Sequence, residues 1–218
     1  MKHSVFTPAF ADLPEVIPVF PLDGAILMPG TQLPLNIFEP RYLSMVRDAL
    51  AADQFIGMIQ NDSAGPLGLA GTGVAGRIVA FSETPDGRYL IALDGISRFD
   101  VQAEETAERG YRRVRVSWRR FEADCRETAT GAIDEGGLRN ALTDLAEKRG
   151  LEVDAKTVEQ YSGETLVNVL VSNLPLSKQD VQKLIETPDA ALRGRLLLTT
   201  MQRMVSVSAT GSGVTRVH

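Results

Sequence analysis

Cysteine and histidine are nearly missing from this chain of 218 residues. Cys125 is the single cysteine, so no intrachain disulfide can form and the usage fits a reduced compartment. Its setting between Asp124 and Arg126 reads as an incidental thiol. The two histidines, His3 and His218, stand at the ends. That leaves the body of the chain without an imidazole for general acid–base catalysis and without the ligand set of a His- or Cys-based metal site. No apolar run approaches the ~20 residues needed to cross a bilayer. Met1 to Asp12 lacks the basic start and apolar core of a signal peptide, so a cytoplasmic location is expected. Positive charge is also short: 23 Lys and Arg face 28 Asp and Glu, for a net charge of −5. That balance argues against nucleic acid or an anionic membrane surface as the main partner. The acidic residues are scattered, with no pair placed for glycosidase-type work. No catalytic residue, cofactor or metal is expected.

What the chain has is proline at telling places. Val16 to Leu50 reads V-I-P-V-F-P-L-D-G-A-I-L-M-P-G-T-Q-L-P-L-N-I-F-E-P-R-Y-L-S-M-V-R-D-A-L. A short apolar run, Val16 to Phe20, ends at a corner at Pro21. An apolar loop closes at Pro29-Gly30. A second run, Leu33 to Phe38, ends at Glu39-Pro40. A helix is then expected, because proline suits its first position and Tyr42, Leu43, Val46, Ala49 and Leu50 recur at helical spacing. Each proline fixes its own φ and biases its predecessor towards extended geometry, so the stretch has a defined path.

Further along, Gln54 to Gln60 suits a buried strand and Asn61 to Gly68 a loop. Pro85-Asp86-Gly87 predicts a hairpin between Ile78–Phe81 and Tyr89–Leu93, and Asp94-Gly95 a further turn. Phe99 and Val101 carry another strand. In Tyr111 to Phe121, Val114, Val116 and Trp118 alternate with Arg113, Arg115, Ser117 and Arg119. Many short strands between turns predict a closed or nearly closed barrel. After Phe121 the pattern changes. Glu122 to Gly137 reads as a polar linker, and a helix begins near Asp134 and ends at Lys148-Arg149-Gly150. Glu164 to Asn173 is helical until Leu174-Pro175-Leu176 breaks it. Ser177 has the form of an N-cap for a helix burying Val181, Leu184 and Ile185. Thr187-Pro188 is expected to start a last helix along Leu192, Leu196, Thr199 and Met204. The fold class expected is α+β, a β-barrel domain over 13–122 followed by a helical bundle domain over 133–206.

Three motifs bear on chemistry. Gly71-Thr72-Gly73-Val74-Ala75-Gly76 matches G-x-G-x-x-G, but a strand and hairpin follow where a dinucleotide site needs a helix amino end. Glycine in a barrel strand, where backbones approach closely, explains it better. As a P-loop it fails at Arg77 and Ile78. Arg109, Arg112, Arg113, Arg115, Arg119 and Arg120 form the one basic cluster. It reads as a strand face opposite Glu104, Glu105 and Glu108, with RNA binding through Arg112, Arg113, Arg115 and Arg119 as the alternative. The apolar loop Phe20 to Gly30 either pins itself onto the barrel or offers a patch to a partner, with methionine as an adaptable contact.

P-V-F-P-L, then M-P-G-T-Q-L-P-L-N-I-F-E-P-R-Y, with G-T-G-V-A-G-R-I, D-G-R-Y-L-I-A-L-D-G-I-S-R-F-D-V and N-L-P-L-S-K-Q-D-V-Q-K-L-I-E, resembles the Lon protease amino-terminal domain family across about Leu13 to Val205. The chain departs from the family at Asn36, where many members have histidine. The resemblance implies a PUA-like barrel followed by helices. It implies a non-catalytic domain that recognises protein substrates, here in a free-standing form without the ATPase and serine–lysine protease parts. Extended apolar protein segments are the partners expected, at a site including Phe20, Ile26, Leu27, Met28 and Phe38. An adaptor role, with a Lon-like or other ATPase as a further partner, follows from the same resemblance.

Overall fold

The structure, a computed structural model, describes residues 8–106, 109–126, 133–150 and 154–210. Both histidines, Glu108 and residues 127–132 of the expected linker lie outside the described residues. The chain divides into two compact units, Met1–Thr128 with Asn168–Pro188, and Ala129–Val167 with Asp189–His218. Residues 168–188, grouped by sequence with the helical part, thus belong to the unit that holds the sheet.

The first unit contains β1 (Val16–Pro21), β2 (Gln32–Ile37), α1 (Pro40–Leu50), β3 (Phe55–Ile59), β4 (Thr72–Glu83), β5 (Tyr89–Glu105) and β6 (Arg112–Ser117). The strands lie in the order β2-β5-β4-β3-β1-β6, and β6 pairs back onto β5. That closure makes β1, β3, β4, β5 and β6 a barrel, with β2 outside it as a flap on the first half of β5. The α+β class and the barrel expected from sequence are both found. The interior holds Ile17, Val19, Phe55, Ile59, Phe99, Val114, Val116 and Trp118. Trp118 lies edge-on to Phe99 at 5.8 Å and donates its ring N–H to the Pro14 carbonyl at 2.9 Å. A buried indole keeps a hydrogen-bond partner in this way.

The expected turn at Asp94-Gly95 is corrected: β5 runs unbroken through it. Glycine is required there by crowding, since a Cβ on Gly95 would lie 2.1 Å from the Met28 carbonyl oxygen. Gly73 is likewise a close-approach glycine, its absent Cβ 2.6 Å from both the Met58 carbonyl oxygen and the Phe99 ring. The glycine-rich motif therefore serves barrel packing, on a strand that leads into no helix.

α1 starts at Pro40 and buries Tyr42, Met45, Val46 and Ala49. β6 is followed by 3-10 turns over Arg119–Cys125, where Phe121 is buried. α4 (Gly163–Asn173) contributes its residues from Asn168 onward to this unit, and α5 (Lys178–Glu186) follows. Ser177 caps α5 by accepting from Asp180 N–H at 3.1 Å. Val181, Leu184 and Ile185 form its buried face.

The second unit contains α2 (Glu135–Arg149), α3 (Ala155–Glu159), the start of α4 and α6 (Ala190–Thr210). Asp134 caps α2, and Gly150 ends it in the left-handed region at φ 63°. Two expectations for α6 are corrected. Its cap is Asp189, which accepts from Leu192 N–H at 2.6 Å, while the Thr187 hydroxyl donates back to the Lys183 carbonyl. The buried stripe runs through Arg193, Leu197 and Met201, leaving Leu192 exposed. The helical period was legible, but its phase was one residue off. The cause is Arg193, a charged residue on the buried face, which is ion-paired with Glu164. Among the described residues, no helix is long and apolar enough to cross a membrane.

Candidate functional site

The loop between β1 and β2 is a strap. Leu27 is 1% and Met28 0% exposed, and Phe20 is also buried, its ring 4.2 Å from that of Tyr42. Main-chain bonds hold the strap to β5, Gly30 N–H to the Gly95 carbonyl at 2.9 Å and Gly95 N–H to the Thr31 carbonyl at 2.8 Å. The Asn168 side chain donates to the Pro29 carbonyl at 2.9 Å. Lys178 pairs with Asp23 at 2.9 Å, and that contact, a hydrogen bond first of all, holds the Asp23 carboxyl below the usual carboxylate range. Phe20, Leu27 and Met28 therefore face the interior and are not available to a partner in this conformation. Ile26 is half-buried, and Phe38 is 63% exposed.

Phe38 stands at the end of β2, whose sequence gives it an unusual edge. β2 pairs with β5 along one side, Gln32 opposite Asp94 through Ile37 opposite Tyr89. Among the described residues its other side has no strand partner. The bond from Gly95 N–H to Thr31 O makes residue 31 face β5, and the two-residue alternation of an antiparallel ladder does the same for 33, 35 and 37. The main-chain groups of Gln32, Pro34 and Asn36 then point outward. Proline at an outward position costs no ladder bond, which is why strands tolerate it at edges. Pro34 is thus a sequence signal for this edge as well as a constraint on the path of the chain. Leu90, opposite Asn36, and Val79 on β4 are large exposed apolar side chains that the sequence reading missed. They point to solvent because the β4–β5 hairpin extends past the part of β4 that pairs with β3.

The basic strand is largely matched by carboxylates. Arg112 forms two hydrogen bonds to Glu104, at 2.7 and 2.9 Å. Arg115 pairs with Glu105 at 2.9 Å and Glu15 at 3.1 Å. Arg120 pairs with Asp100 at 2.5 Å. The Arg112 guanidinium holds the Glu104 carboxyl below its ordinary range. Arg113 and Arg119 remain as exposed cations. Among the described residues, no group of three His, Cys, Asp or Glu is placed to hold a metal ion.

Comparison with protein families matches residues 16–203 to the ATP-dependent protease La (LON) substrate-binding domain. A Lon protease of Roseiflexus castenholzii is 27% identical over 203 residues, which is 88% of this chain and 24% of that protein. The chain thus spans about a quarter of the length of the curated relatives it matches. A solved Lon N-terminal domain protein from Xanthomonas campestris is 27% identical and superposes with a TM-score of 0.63, covering 84% of this chain and 97% of the other. The N-terminal domain of a Mycobacterium avium complex Lon protease, 16% identical, has the same fold at a TM-score of 0.64, covering 86% and 98%.

Proposed function

The chain belongs to the family of the ATP-dependent protease La (LON) substrate-binding domain, and on that premise we propose that it is a non-catalytic module recognising protein substrates, with extended apolar segments docking along the outer edge of β2. The observation that carries this reading is the edge itself, a strand paired on one side among the described residues, with exposed Phe38 at its end and exposed Leu90 on the neighbouring strand opposite Asn36. Strand addition gains main-chain hydrogen bonds from any sequence except proline. Apolar side chains nearby add burial that depends on area more than on shape. Specificity is therefore broad and affinity weak, on the order of micromolar, about −8 kcal/mol. A Lon-like or other ATPase is the partner class this role implies, through which the module acts as an adaptor. The sparse cysteine supports a cytoplasmic setting.

Fluorescence anisotropy with a labelled, permanently unfolded protein tests the reading, run at low and high salt beside a single-stranded RNA of similar length. Saturable binding of the protein that survives high salt supports it. RNA binding that falls steeply with salt would favour the basic strand instead. No binding of the protein up to ~100 μM would remove the proposal.

A further inference from the structure

A cavity of about 430 Å³ opens between β1, the carboxyl end of α1, Thr106 after β5 and the residues Arg109, Tyr111 and Arg113 around the start of β6, a volume within the range of ligand sites. It exists because a ladder stops. β1 and β3 run parallel but pair only over Val19–Pro21 and Gly57–Ile59, with Leu22 N–H on the Ile59 carbonyl at 3.1 Å. Going back along β1, the donors of that ladder fall on alternate residues, 20 and then 18. Pro18 has no N–H to give, and the strands part there. On its other side β1 bonds to β6 through residues 15, 17 and 19, as Val116 N–H on the Glu15 carbonyl at 2.9 Å shows. The main chain of Val16 therefore points away from β6, towards the side where β3 has left. Val16, Pro18 and Phe55 all line the cavity.

Its charges divide into two pairs. Asp48 is held by Arg109 at 2.6 Å and by the Tyr111 hydroxyl at 2.8 Å. Asp53 and Arg113 line the same cavity, and neither has an ion-pair partner among the described residues. Ala49, Ala52 and Phe55 give the cavity an apolar part of its wall.

We propose that this cavity binds a short free peptide of two or three residues. Its α-carboxylate meets Arg113, its α-ammonium meets Asp53, its main chain lies along the open edge at Val16, and its side chains cover the apolar wall. Charge complementarity selects this occupant. A lone anion or cation would meet one partner and one like charge, and an internal stretch of chain would bring neither terminal charge. A zwitterion with a main chain of its own answers both charges and the unpaired strand edge. The proposal is independent of the β2 edge.

The test is an NMR titration of the ¹⁵N-labelled whole chain with the tripeptide Val-Ala-Leu in three forms: both ends free, acetylated at the amino end, and amidated at the carboxyl end. The free form should shift the amides of Val16, Phe55 and Arg113. Each cap should weaken binding about tenfold, the loss of one charge-assisted hydrogen bond. Arg113→Gln should bind free and amidated peptide equally, and Asp53→Asn free and acetylated peptide equally. Both side chains are exposed, so these variants keep the fold. Equal affinity for the three peptides overturns the proposal, as does discrimination that persists in both variants. So does the absence of shifts at the cavity up to ~10 mM peptide.

Discussion

Arg98 and Asp124 form an ion pair sealed inside the first unit, with side chains 1% and 0% exposed and Nη2 2.5 Å from Oδ1. Arg98 Nε and its own backbone N–H both donate to Oδ2 at 2.9 Å. The guanidinium also donates to the Thr187 carbonyl at 2.6 Å and stacks 4.6 Å over the Phe121 ring. One side chain on β5 thus ties together the turns after β6 and the end of α5. A buried pair of this kind is worth little against an apolar replacement, yet removing one partner strands a charge. Asp124→Ala should lower unfolding stability by about 3–5 kcal/mol. The double variant Arg98→Met, Asp124→Leu should recover most of that. Urea denaturation of the three proteins measures both effects.

The strap between β1 and β2 makes opposite demands at neighbouring residues. Met28→Ala should cost about 2–5 kcal/mol, as large-to-small core changes do, and Met28→Asp should leave the chain unfolded at room temperature. Ile26→Asp, at a half-buried position, should keep a cooperative transition. Circular dichroism through a thermal melt separates the three.

Cys125 packs against the barrel core, and burial raises its thiol pKa above the ordinary value, against a hydrogen bond with Ser97 that lowers it. The neutral thiol is the form favoured by folding. Its contribution to stability is complete below the unfolded thiol pKa and is lost as pH rises through the folded one. Iodoacetamide should modify native protein at neutral pH far more slowly than urea-unfolded protein, because the thiolate is the reactive form. Equal rates in the two states would contradict this placement.

We propose that protease cuts the chain within Glu122 to Gly137, the polar, glycine-containing linker expected from sequence, giving pieces close to the domains 13–122 and 133–206. The pieces should stay together on gel filtration until denaturant is added. Residues 168–188 lie in the same unit as the barrel, where the Gln182 side chain donates to the Thr72 carbonyl at 3.1 Å.

Local signals in the sequence carried much of the fold. Pro40 marked the start of α1, Ser177 the cap of α5, Pro85-Asp86-Gly87 the β4–β5 hairpin, and the valine alternation the buried face of β6. Signals that depend on distant neighbours did not read through. Asp94-Gly95 looks like a turn until the Met28 carbonyl is seen against Gly95. Leu192 looks like a core residue until Arg193 is seen paired with Glu164. The same reason limited the reading of the site. An apolar loop has one sequence whether it is exposed or buried, and only the strand neighbours decide that Met28 is inside. They also decide that β2 has one side without a strand partner among the described residues.

The edge of β2 is tested most directly by Asn36→Pro. The Asn36 N–H points away from β5, so the substitution removes a donor from the outer edge and breaks no bond of the sheet, as Pro34 already does two residues earlier. Affinity for an unfolded, carboxymethylated protein is measured by fluorescence anisotropy for the unsubstituted chain and for Asn36→Pro, with urea midpoints of both. The account predicts about tenfold or greater loss of affinity at an unchanged midpoint. Undiminished affinity in a folded Asn36→Pro chain would contradict it.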